Sequence, residues 1–190
     1  MYEAVADPYC YEGTDVLKNI PGIRDRAALE AFETVSTTQR ADEPLPAGRL
    51  GMRHYQVIHR HLFQDVYSWA GKFRIVRIGK GNSTFCYPEH IEAEMRRLFS
   101  DLKQRKYLRG LSKEHFAAEA ARFLASLNAI HPFRDGNGRT QMVFLVLLAA
   151  RADHVLNLDR LVPERFMNAM IASFYGNESL LADELARLTA

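Results

Sequence analysis

Eight consecutive apolar residues, VFLVLLAA (143–150), follow almost directly on HPFRDGNGRT (131–140), a stretch that no helix can absorb unbroken. Pro132 disfavours the helical conformation for the residue before it, which places His131 at the exit of a helix rather than within one. The apolar run then resumes a helical pattern with no polar face, and it is far shorter than the roughly 18 residues of a membrane span. A short helix that is apolar all round belongs in the centre of a bundle. This pair of segments therefore asks for a helical domain with a tight loop at the mouth of a buried helix.

The rest of the chain is consistent with an all-α class. Asp25 is positioned to cap a helix carrying Ala27, Leu29, Phe32 and Val35, and a charged, proline-containing connection, ADEPLPAG (41–48), follows it. Leu50, Tyr55, Ile58, Leu62 and Val66 recur at helical spacing over 50–67. The exception is KFRIVRI (72–78), the turn-like GKGNS (79–83) and TFCY (84–87), which together read as one projecting β-hairpin over 72–87. Pro88 suits the first turn of a helix through Ile91, Met95, Leu98 and Leu102. Ser112 caps another, with Phe116, Ala120, Phe123, Leu124, Leu127 and Ile130 on one side. Two shorter helical stretches are predicted near 163–175 and 178–188.

At 190 residues, with no internal repeat, the expectation is a single domain over 1–190. A hydrophobic content of 47% excludes global disorder. The balance of 25 Lys+Arg against 23 Asp+Glu leaves +2, no whole-chain attraction to nucleic acid or an anionic membrane. Cys10 and Cys86 are too few for a disulfide framework or a zinc site built on cysteine pairs. The opening MYEAVADPYC has neither a basic start nor an apolar core, so no secretory signal is expected, and a soluble cytosolic protein is.

The loop carries the chemistry. Gly136 and Gly138 flank Asn137, and such a stretch turns sharply with successive backbone amides converging on one point. Just before a helix, those amides add to the positive end of the macrodipole and make an anion site. Arg139 is a cation at the end of the helix that repels cations, so its charge calls for a compensating anion. Asp135 places one carboxylate beside that site, the usual way Mg²⁺ is held together with substrate phosphates. His131 completes the set as a general base. An ordinary Gly-Asn turn is the competing reading; histidine, carboxylate, glycines and arginine within nine positions favour the anion site. His54, His59 and His61 share one predicted helix without matching Cys or Glu ligands, and read as surface or satisfied core histidines. Trp69 is expected as a core anchor near the base of the hairpin.

HPFRDGNGR (131–139) resembles the Fic-domain signature: His, any residue, Phe, any residue, Asp or Glu, Gly-Asn-Gly-Arg, two residues, Arg. YCYEGTDVLKN (9–19), HRHLFQDVYSWAG (59–71) and the hairpin are also similar to Fic proteins. The resemblance implies a Fic fold and transfer of AMP from ATP to a Ser, Thr or Tyr hydroxyl of a target protein. It implies His131 as the base that deprotonates the hydroxyl and Asp135 as the ligand of Mg²⁺. Arg134, Gly136, Asn137, Gly138 and Arg139 would hold the nucleotide phosphates, while Phe133 fixes the loop. The hairpin would be a flap whose edge, Ile78, Gly79, Lys80, Gly81, Asn82, Ser83, Thr84 and Phe85, registers the target; a purely structural hairpin is the other reading.

Two departures follow. The second arginine of the signature falls on Met142, and a thioether cannot contact outer phosphates. Weaker ATP binding, another arginine reaching in, or a different phosphate-containing donor are the readings this leaves open, together with a degenerate domain that binds nucleotide without turnover. Fic proteins are often held inactive by a helix bearing Ser or Thr, three residues, Glu, then Gly or Asn; no Ser or Thr here has Glu four positions later. The resemblance is thus to small bacterial toxins whose inhibitory helix is a separate antitoxin, acting in the cytoplasm on DNA gyrase and topoisomerase IV.

Overall fold

Caps and prolines set the element boundaries. In the computed structural model, which describes residues 7–80 and 83–190, Asp25 accepts a hydrogen bond from the Ala28 amide at 2.8 Å and opens α1 (Arg26–Asp42). α2 (Met52–Phe63) follows the proline-containing connection, and Pro88 occupies the first turn of α3 (Pro88–Gln104). Ser112 caps α4 (Lys113–Ile130). The loop leads into α5 (Asn137–Arg151), and α6 (Pro163–Phe174) and α7 (Ser179–Leu188) complete the chain. The fold is helical, with one minimal hairpin among the described residues. Among those residues no helix is long and apolar enough to cross a membrane.

α2 stops short of the expected Tyr67. The amides of Val66 and Tyr67 turn back to the Phe63 carbonyl at 3.0 and 2.9 Å, and the Val66 carbonyl accepts from Ile20 at 2.8 Å. The N-terminal segment thus takes up a group that would otherwise have extended the helix.

The hairpin is much shorter than its sequence suggests. Its ladder is β1 (Gly79–Lys80) against β2 (Ser83–Thr84), with Gly79 opposite Thr84 and Lys80 opposite Ser83. KFRIVRI is irregular chain that meets the other arm only at its end, where the Phe85 amide donates to the Ile78 carbonyl at 3.3 Å. The Arg74 amide donates to the Pro132 carbonyl at 2.9 Å and the Cys86 amide to the Ala129 carbonyl at 3.1 Å. Backbone groups that would have zipped the two arms together are spent on the last turn of α4 and the loop after it instead. Gly81 and Asn82, expected at the flap tip, lie outside the described residues.

α4 packs against α3, α5, α6 and α7 and forms the hub of the bundle. α5 buries Phe144, Leu145, Leu148 and Ala149, while Met142, Val143, Val146 and Leu147 are half-buried. Enclosure of 143–150 is therefore complete on one face. The other lies under the 45–50 connection and the Lys106–Leu108 turn, irregular chain that covers less than a packed helix would.

Candidate active site

The site is built where α4 ends and α5 begins. His131 closes α4 in the left-handed conformation (φ 48°, ψ 63°), uncommon for a residue with a Cβ and consistent with Pro132 barring the right-handed one. Its Nδ1 lies 3.3 Å from the Asn128 carbonyl. A carbonyl only accepts, so in the neutral ring Nδ1 carries the hydrogen and Nε2 the lone pair. The ring stacks on Phe85 at 3.9 Å and 15°, which places the hairpin's second arm directly against the histidine.

A buried arginine that nothing in the sequence singled out joins these parts. Arg74 is 2% exposed. Its guanidinium donates to four carbonyls: His131 at 2.8 Å, Val76 at 2.6 Å, Cys86 at 2.6 Å and Ile130 at 3.2 Å. Both arms of the hairpin are thereby tied to the end of α4, where a cation also meets the negative end of the helix. Burial lowers the Arg74 pKa from its ordinary value. In sequence it is one more residue of an apparent strand, and its role depends on contacts more than 50 residues away.

The loop is closed internally. The Asn137 side chain accepts from the Phe133 amide at 3.0 Å and donates to the Phe133 carbonyl at 2.9 Å. Asn137 is thus a clip, and what it offers a ligand is its backbone amide. Phe133 is fully buried, stacked on His59 at 3.8 Å and on Tyr55 at 5.5 Å. Gly136 has φ +76°, and a Cβ there would meet the Phe63 ring at 2.3 Å, so two requirements select glycine. At Gly138 a Cβ would meet nothing within 4 Å. Space over that backbone is open rather than filled by protein.

α5 starts without a side-chain cap. The amides of Asn137, Gly138 and Arg139 are then first-turn donors with no intrahelical acceptor, which is the physical basis of an anion site. The Gly136 amide is engaged at 2.5 Å by the Asp135 carboxylate. Asp135 is exposed, and its backbone carbonyl is held at 3.0 Å by His59 Nε2. The Gly71 amide points at His59 Nδ1 from 2.9 Å. An amide can only donate, so Nδ1 accepts and Nε2–H donates to Asp135. His59 is a neutral strut under the loop, and burial lowers its pKa to about 4. Of the two readings, surface or satisfied core histidine, His59 is the second, fully buried with both ring nitrogens bonded; its place in HRHLFQDVYSWAG is the sign in the sequence of a role beyond packing.

Two arginines expected at the phosphates are already engaged. Arg134 pairs with Asp7 at 2.8 Å, so its guanidinium also ties the N-terminal segment to the loop. Arg139 pairs with Glu33 of α1, bonds Thr37 Oγ1 at 3.2 Å, and lies 4.6 Å over the Phe63 ring. The anion that Arg139 called for is therefore supplied within the chain. The Glu33 carboxylate also accepts from the Tyr67 hydroxyl. Burial first, and Glu33 second, raise the Tyr67 pKa from its usual value. Glu33 was not legible as part of the site, whereas Tyr67 shares with His59 the stretch HRHLFQDVYSWAG. Met142 packs half-buried against the core.

An uncapped, glycine-shaped helix start six residues beyond a helix-capping histidine, on an all-helical scaffold, defines a class of phosphate-handling site. The Fic/DOC family profile matches residues 49–149, and the chain belongs to that family. It is 53% identical over 188 residues, covering 98% of both chains, to a probable protein adenylyltransferase, y4lH, of Sinorhizobium fredii. Protein adenylyltransferase VbhT of Bartonella schoenbuchensis is 38% identical over 98% of this chain and 40% of its own length. In three dimensions the chain is similar to BepC, a VirB-translocated effector of Bartonella tribocorum solved with bound AMPPNP. The TM-score is 0.85 at 29% identity, with 96% of each chain covered.

Proposed function

We propose that this chain moves AMP from ATP to a serine, threonine or tyrosine hydroxyl of a target protein and releases pyrophosphate. It is a nucleotidyltransferase of the Fic type, acting as one unit over 1–190, with 72–87 as flap and 131–142 as active-site loop. The observation that carries the reading is the uncapped start of α5 on the same loop as His131. His131 Nε2 takes the hydroxyl proton, and the target oxygen attacks the α-phosphorus. The bond from that phosphorus to the bridging oxygen breaks, and pyrophosphate leaves. The Asn137 and Gly138 amides receive phosphate oxygens, and Arg139, once it shifts from Glu33, offsets charge on the leaving group.

Asp135 suits Mg²⁺: it is an exposed single carboxylate beside the amides, and such a site is completed by substrate phosphates rather than by protein. Among the described residues no group of three or more His, Cys, Asp or Glu could hold a metal alone. Asp135 would hold the ion, whose charge would offset that of the phosphates. Main-chain groups of Ile78, Gly79, Lys80, Ser83, Thr84 and Phe85 offer the edge along which a target segment is registered. The partner class is a small antitoxin bearing the Ser/Thr-x-x-x-Glu-Gly/Asn helix, and DNA gyrase and topoisomerase IV are the targets to assay first.

Met142 supports a second reading, transfer from another phosphate-containing donor, because the position offers no cation to the outer phosphates. Incubation of bacterial lysate with ATP labelled on the α-phosphate, with wild type and His131→Ala side by side, decides. Label on protein that vanishes in the variant supports AMP transfer. Label from a different donor alone supports the second reading. No transfer from any donor, with nucleotide still bound, makes the domain non-catalytic.

A further inference from the structure

Away from the loop, a groove of about 620 Å³ runs between the outer face of α2, the chain at Ala70–Phe73 and the first turns of α3. Gly71 makes it possible: at φ +80° it approaches α2 so closely that a Cβ would meet Arg60 Cβ and the Gln56 carbonyl, both at 2.9 Å. Four cations line the groove, Arg53, Arg60, Lys72 and Arg96, against one carboxylate, Glu92, which pairs with Arg96. Arg53, Arg60 and Lys72 are exposed and have no carboxylate partner among the described residues. The whole chain carries only +2, so this concentration is local.

The spacing selects the occupant. Arg53 and Arg60 sit seven residues apart on one helix face, two turns or ~10 Å. Between them lies Val57, 45% exposed, with Phe73 along the opposite wall. An extended peptide with an apolar residue flanked two positions away on each side by a carboxylate presents all three on one face. Its carboxylates lie ~13 Å apart, within reach of the two long arginine side chains, with the apolar side chain set on Val57. A nucleic-acid backbone would instead bring phosphates against that apolar floor. The groove also has a direction. Lys72 and Phe73 begin the arm that runs to β1, and Phe73 packs against Phe133 of the active-site loop.

We infer that this groove is a docking site for an acidic segment of the protein that receives the nucleotide, holding it while another part lies along the hairpin. The inference rests on the transfer reading for the identity of the occupant, and on the groove alone for its chemistry. It makes Arg53, Arg60 and Lys72 determinants of target choice rather than of catalysis.

The test uses the full chain and the double reversal Arg53→Glu/Arg60→Glu, both exposed positions, with the melting temperature confirming that the variant folds. The probe is a fluorescein-labelled peptide, Gly-Asp-Glu-Leu-Glu-Glu-Gly, followed by anisotropy. Wild type is expected to bind it, about tenfold more weakly at 300 mM than at 50 mM salt, and the variant to lose it. Binding that is absent in wild type, equal in both proteins, or surpassed by a single-stranded oligonucleotide of the same charge overturns the groove. In the labelled-lysate assay the variant should modify protein roughly tenfold more slowly at limiting target, with an unchanged ADP-induced thermal shift. Peptide binding lost but labelling undiminished overturns the assignment to the target. Peptide binding intact while wild type labels nothing defeats the transfer reading and, with it, the target as occupant; the acidic-peptide site itself then stands.

Discussion

Glu33 of α1 pairs with Arg139, in the first turn of α5, across more than 100 residues of sequence. The carboxylate is 12% exposed and the guanidinium 40%, so the pair is anchored on the Glu33 side. It neutralises the cation that the helix N-terminus would otherwise repel. Removing the negative charge while keeping an acceptor, as in Glu33→Gln, should lower stability by about 1 kcal/mol, since the arginine is substantially solvated. The same change leaves Arg139 available to phosphate. ADP should then raise the melting temperature more in Glu33→Gln than in wild type. An equal or smaller ADP shift would mean that Arg139 never meets the nucleotide.

Arg74 is the joint between hairpin and loop, and its loss should be felt in both. Arg74→Met leaves the Val76, Cys86, Ile130 and His131 carbonyls without their shared donor, at a cost of roughly 3 kcal/mol or more. Hydrogen exchange should quicken together at 74–86 and at the end of α4, while α6 and α7 keep their protection. Exchange that quickens in the hairpin alone would show the two are not coupled through this residue.

The glycines of the loop should separate by mechanism. Gly136→Ala meets Phe63 and an unfavourable φ, so it should destabilise the protein by a few kcal/mol. Gly138→Ala meets no protein atom, so its melting temperature should stay within about 0.5 kcal/mol of wild type in equivalent stability. If the space over Gly138 is where phosphate approaches, that silent variant should bind ADP at least tenfold more weakly. Unaltered ADP binding would move the phosphates elsewhere.

His59 predicts a pH dependence. Its pKa falls from 6.5 to about 4 on folding. Between those values the unfolded chain binds the extra proton, so stability from this residue is complete above pH 6.5 and is lost as pH falls towards 4. The full effect is of order 3 kcal/mol. Denaturation curves at pH 7, 5.5 and 4.5 should show the decline, and His59→Gln, which can bond both partners but does not titrate, should flatten it. A slope unchanged in His59→Gln would assign the decline to other groups.

Met142→Arg should increase target labelling from ATP several-fold by restoring a cation to the position the family signature assigns one. Flat or reduced labelling would tie Met142 to a different donor.

The loop was legible because its chemistry is local. Pro132 sets the conformation of His131, Gly136 permits the turn, and the break before VFLVLLAA marks a helix start, all within a dozen residues. Helix caps at Asp25 and Ser112 were readable for the same reason. The length of the hairpin ladder was not legible, because which backbone groups KFRIVRI pairs with is settled by the helix end and loop beside it.

An all-helical fold, and a glycine-rich loop with a histidine at its mouth, could be read from local chemistry alone. What tertiary structure alone decided is who holds that loop and its arginines. Asp7 holds Arg134, Glu33 holds Arg139, His59 holds the Asp135 carbonyl, and Arg74 binds hairpin to helix end. Charge compensation and hydrogen-bond satisfaction act through space over a few ångströms and are indifferent to separation along the chain. A pair more than 100 residues apart therefore leaves no period, spacing or motif to read.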